Sequence, residues 1–182
     1  MKNILLSIIL ICLSFVSNAE ENYDKQLNNL FNQLKSTSSS IAAKEIESKI
    51  WKMWTTHPSE ESLTNLLAKG SYYMSQNQLT SAHNVFSKAI ELDPKWAEAW
   101  NKRATLLFYM KDYQKSLKDI SKVLDLEPRH FGALSGRAQI YLSLKEYEKA
   151  VDDLRKAKSI YPLIKSGENI KLIEKIIKDQ QI

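Results

Sequence analysis

Residues 82–100, AHNVFSKAIELDPKWAEAW, are answered 34 positions later by residues 116–134, SLKDISKVLDLEPRHFGAL, and a third copy, AVDDLRKAKSIYP, closes at residue 162. Pro94, Pro128 and Pro162 hold one register. Aligning windows 63–96, 97–130 and 131–164 places Leu66 with Trp100 and Leu134, Gly70 with Ala104 and Ala138, and Tyr73 with Leu107 and Tyr141. Later columns read Ala82/Ser116/Ala150, Phe86/Ile120/Leu154 and Ala89/Val123/Ala157. Apolar residues at i, i+4 and i+7 make one stripe on a helix, and each window carries such a stripe twice. Each window is therefore two helices, turning at segments such as Lys111-Asp112-Tyr113 and Lys145-Glu146-Tyr147 and stopped by the proline. Small residues let the helices of a pair approach closely, and because a lone pair cannot bury its stripe, the pairs stack.

These columns resemble the tetratricopeptide repeat family over residues 63–164. The resemblance implies an all-α, right-handed α-solenoid whose function resides on the concave surface, lined mainly by the first helix of each pair. By resemblance to peptide-binding members, the groove residues are Thr64, Leu67, Ser71, Met74 and Ser75 in the first repeat. The second supplies Glu98, Asn101, Thr105, Phe108 and Tyr109, and the third Gly132, Ser135, Gln139, Leu142 and Ser143. Asn101, Thr105 and Gln139 suit an extended backbone, while Met74, Phe108, Tyr109 and Leu142 suit apolar side chains. Packing against the preceding pair is the competing role for several of them. Some family members clamp a chaperone's free carboxyl terminus with basic residues and asparagines. Here Leu67, Ser71, Ser135 and Gly136 occupy places where that clamp needs polar or basic groups, which disfavours such a ligand.

One column carries charge where leucine is usual in that family: Lys69, Arg103 and Arg137. Sixteen residues beyond the two arginines stand Asp119 and Asp153, whereas the position matching Lys69 holds Val85. The planar guanidinium fork suits a carboxylate, so these residues read as structural ion pairs between helices, within a repeat or offset by one repeat. Arg129, His130, Gly132 and Gly136 mark the junction before the third repeat, where glycine permits close approach by a ligand or by a neighbouring helix.

The flanks differ from the repeats. Residues 1–19 read as a cleavable export signal: Lys2, an apolar run from Ile4 to Val16, then Ser17-Asn18-Ala19 before Glu20. Retention as a membrane anchor through residues 4–16 is the alternative, although a comfortable span takes roughly 20 apolar residues. Residues 20–62 form two apolar stripes, Tyr23/Leu27/Leu30/Phe31/Leu34 and Ile46/Ile50/Met53/Trp54, separated by serines. They read as a degenerate helical pair capping the amino end of the stack. Residues 165–182, with Ile170, Ile173, Ile176 and Ile177 along one face, read as the carboxyl-terminal capping helix.

Cys12 is the only cysteine and lies inside the apolar run, so cleavage leaves no thiol for catalysis or metal binding. His57, His83 and His130 have no partner at metal-ligand spacing, and no nucleophile motif or phosphate-cradling glycine loop occurs. No catalytic residue, metal or cofactor is expected. The net charge of +5 is dispersed along the chain. Dispersed charge and export both argue against nucleic acid, and leave weak attraction to an anionic membrane surface open. The expectation is an exported, periplasmic, non-enzymatic adaptor or scaffold for a protein or peptide; an envelope structural component tethered by its amino-terminal segment is the alternative.

Overall fold

The computed structural model describes residues 21–180, so the export segment and Cys12 lie outside the described residues. Every regular element among them is helical. After α1 (residues 21–36) come α2 (Ser40–Thr55), α3 (Glu61–Ser75), α4 (Leu79–Leu92), α5 (Ala97–Tyr109), α6 (Tyr113–Leu126), α7 (Phe131–Ser143), α8 (Tyr147–Ile160) and α9 (Ile170–Asp179). A short 3-10 turn, Lys165–Asn169, precedes α9. None of the described helices is long and apolar enough to cross a membrane.

The pairs α3/α4, α5/α6 and α7/α8 are hairpins with the same turn. Asn77, Lys111 and Lys145 each take a left-handed backbone, with φ of 56°, 62° and 60°. At each turn the following amide bonds back five residues, Gln78 to Tyr73, Asp112 to Leu107 and Glu146 to Tyr141. This is the Schellman arrangement, which satisfies the last carbonyls of the first helix and reverses the chain at once. Asp112 also caps α6 through the Lys115 amide.

Inside the pairs, size is balanced against size. Phe86 is fully buried, and a Cβ at Gly70 would run into its ring. Ile120 and Leu154 are smaller, and Ala104 and Ala138 face them instead. The far end is closed by α9, whose Ile170, Ile173 and Ile177 pack with Ala150, Val151 and Leu154 of α8.

The amino-terminal pair is helical, and its position differs from a repeat stacked beneath α3. Leu27, Phe31 and Leu34 of α1 and Ile46, Ile50 and Trp54 of α2 share a core with Phe131, Leu134, Ala157 and Tyr161 of the third repeat. The core of α3 and α4 contains no residue of the pair among the described residues. Helix α2 instead runs along the edge where one repeat connects to the next. Trp96, Phe131 and Tyr161 at those connections are more apolar than a solvated loop needs, and α2 covers them.

Candidate functional site

The first helices α3, α5 and α7 line the concave face, and α2 lies along its edge against the amino-terminal ends of α5 and α7. At the amino-terminal half of these helices Trp54 stacks on His130, 4.0 Å apart with planes 9° from parallel, and Trp51 lies edge-on to His130 and Phe131. A Cβ on Gly132 would stand 2.5 Å from Trp51, so glycine is what lets the indole reach α7. His130 Nδ1 accepts the Ala133 amide at 3.0 Å, which leaves the ring hydrogen on Nε2 to donate to Glu98 at 3.0 Å. Glu98 is buried and also accepts from Asn101 at 3.1 Å. Lys102 Nζ lies 3.3 Å from the other carboxylate oxygen, near enough for charge attraction but poorly aligned as a hydrogen bond. The Trp96 indole donates to the Trp54 carbonyl at 2.9 Å, which fastens α2 to the first junction.

Burial sorts the expected groove residues. Leu67 is 2 % exposed and belongs to the α3–α4 core with Trp96 and Ala99; Asn101 and Glu98 are buried in the polar cluster just described. Leu67 and Glu98 cannot meet a ligand on the open face, whereas Asn101 keeps an edge at the cleft beside Thr105. The half-buried Ser135 shares a hydrogen bond with Ser166 at 2.8 Å. The carboxyl-terminal half of the groove is open. Thr105, Gln139 and Ser143 are exposed, Ser71, Met74, Phe108 and Leu142 are half-buried, and Tyr109 stands 64 % exposed. Tyr109 joins two clefts, one against Ser71, Met74 and Leu79 and one against Thr105, Phe108, Gly136 and Gln139. Neither cleft is lined by a charged side chain.

The arginine column lies behind the groove. Arg103 Nε and Nη2 donate to the two oxygens of Asp119 at 2.7 and 2.9 Å, and Nη1 donates to Ser87 at 3.1 Å. Arg137 meets Asp153 the same way, at 2.6 and 2.7 Å, and this bond holds the guanidinium pKa above its ordinary value. Both pairs lie within a repeat, joining its first helix to its second. Lys69, with no such acid, lies 5.8 Å from the Tyr73 ring. Among the described residues no three His, Cys, Asp or Glu side chains gather as metal ligands.

The family of the chain follows from two further matches. Residues 63–95 and 101–163 match models of the tetratricopeptide repeat, more than half of the chain between them. The chain belongs to the tetratricopeptide repeat family. A TPR repeat-containing protein of Rhizobium etli is 36 % identical over 104 residues, covering 57 % of this chain and 50 % of that relative. The chain thus spans about half the length of the curated relative it matches. Among solved structures, the first TPR of Spaghetti (RPAP3) bound to an HSP90 peptide superposes with a TM-score of 0.61 at 20 % identity, covering 64 % of this chain and 93 % of that one. The Sgt2 TPR domain from Aspergillus fumigatus gives 0.62 at 14 % identity, covering 67 % and 83 %. At such identities the likeness concerns the fold. A tetratricopeptide solenoid is a protein-interaction scaffold rather than a catalytic fold.

The α2 cover was missed by sequence reasoning. Its signal is the set of aromatic residues at the junctions, Trp96, His130, Phe131 and Tyr161, beside Trp51, which lies outside both amino-terminal stripes.

Proposed function

We propose that this chain is a non-enzymatic adaptor that holds an extended, uncharged segment of another protein in the open half of its tetratricopeptide groove. The observation that supports this reading is the pair of uncharged clefts meeting at the exposed Tyr109, with Thr105 and Gln139 beside them. Exposed hydroxyl and amide groups can pair with an extended backbone, and the half-buried Met74, Phe108 and Leu142 offer apolar contact to its side chains. The first TPR of Spaghetti, solved with an HSP90 peptide, is a precedent for peptide binding on this fold. An acidic chaperone tail is a poor match for this groove, since neither cleft presents a basic side chain.

A photoreactive residue at Thr105, compared in living cells with one at the convex Lys122, tests the reading. Capture from position 105 alone, competed by a synthetic peptide cut from the captured protein, is the expected result. Equal capture from both positions overturns it. Export through residues 1–19 to the periplasm belongs to the same proposal. Mass spectrometry of a mature chain beginning at Glu20 supports export; an intact Met1 chain in the membrane fraction favours the tethered structural component.

A further inference from the structure

Helix α7 carries two glycines one turn apart, and their surroundings differ. Trp51 accounts for Gly132, as Phe86 accounts for Gly70. Around Gly136 nothing lies within 4 Å of where a Cβ would stand. Glycine weakens a helix interior, so its presence here lacks the packing reason that the other two have. What the missing side chain creates is a recess of about 100 Å³ between α5 and α7, bounded by Ala104, Thr105, Phe108, Gln139 and Ile140.

We propose that this recess is a specificity subsite that receives one branched aliphatic side chain, Val, Leu or Ile, of the segment bound in the groove. The proposal rests on the groove reading above. Size selects the class: an apolar cavity of about 150 Å³ accepts benzene, so a recess of this smaller volume suits an isopropyl or isobutyl group better than an aromatic ring. Chemistry agrees, because the floor is Ala104, Gly136 and Ile140 and no lining side chain is charged. The rim supplies the backbone contacts. Thr105 Oγ1 donates to the Asn101 carbonyl at 2.9 Å and keeps its lone pairs for an incoming amide. The exposed Gln139 carboxamide makes no hydrogen bond with the described residues and has both polar ends available. An extended segment held at this rim points alternate side chains toward the floor.

Random peptides displayed on phage, selected against the full chain, test the subsite. The selected peptides are expected to share Val, Leu or Ile at one position. Gly136→Leu should weaken their binding on the order of tenfold, as for a lost or blocked methylene-sized site. Gly136→Ala should weaken it less, with melting midpoints of both variants at or above that of the parent. Selected peptides with no common aliphatic residue overturn the subsite. So does undiminished binding to Gly136→Leu, and if Tyr109→Ala still abolishes that binding, the groove reading stands while the recess falls. Failure to enrich any peptide over the Tyr109→Ala protein sinks both. Should Gly136→Leu fail to fold, undiminished binding to a folded Gly136→Ala overturns the subsite in its place.

Discussion

Gly132→Ala and Gly136→Ala add the same methyl to the same helix and should move stability in opposite directions. Both gain the helix preference of alanine over glycine, about 1 kcal/mol. At Gly136 nothing opposes that gain, since no atom lies within 4 Å of the new Cβ. At Gly132 the new Cβ stands 2.5 and 2.8 Å from two ring atoms of Trp51. Withdrawal of Trp51 would disturb its edge-on contacts with Trp54, His130 and Phe131. Overpacking of this kind costs about 1–3 kcal/mol, which leaves Gly132→Ala less stable by up to about 2 kcal/mol. Urea denaturation followed by far-ultraviolet circular dichroism gives both values. Repeating Gly132→Ala in a Trp51→Ala background should turn the loss into a gain, a coupling of at least about 1 kcal/mol. Equal gains at the two positions, or additive effects with Trp51→Ala, would refute the placement of α2 against α7.

Other outcomes follow from the same geometry. Arg103→Leu leaves Asp119 buried without its guanidinium and should destabilise by about 3 kcal/mol, with Arg103→Lys recovering only part, as read from chemical denaturation. Burial, with Glu47 beside it, pushes the Tyr161 hydroxyl from 10.0 to about 12, and burial likewise pushes Tyr23 to about 12. The folded chain therefore keeps protons that the unfolded chain releases: stability is full below pH 10 and falls as pH rises from 10 toward 12. Tyr161→Phe should flatten that fall in a series of alkaline melts. Lys111→Gly relieves a left-handed lysine at a cost in unfolded-chain entropy, for a net gain of roughly 0.5 kcal/mol in thermal melts.

The repeated pairs were legible because a stripe, a small-residue column and a proline recur together, and each constrains local structure by itself. The arginine column was legible as chemistry: arginine stands where an aspartate stands sixteen residues on, and lysine where that position holds valine. Which helices the bond joins depended on the fold, which places both pairs within their repeats. The stripes of α1 and α2 announce burial without naming the surface that receives them. Leu27, Phe31 and Trp54 would fit a stacked repeat as well as the junction edge, so the position of the pair was not available from periodicity. The groove suffered for the same reason. Repeat position placed Leu67, Asn101 and Glu98 on the concave face, but the long-range Trp54–His130–Glu98 cluster and the packing of Leu67 with Trp96 bury them.

Amide chemical-shift mapping of the full chain, titrated with the segment captured at Thr105, reads the binding surface directly. Shifts centred on Ser71, Thr105, Tyr109, Gly136 and Gln139 are predicted. Shifts confined to α4, α6 and α8, or to the amino-terminal pair, would contradict a ligand groove on the open half of the concave face.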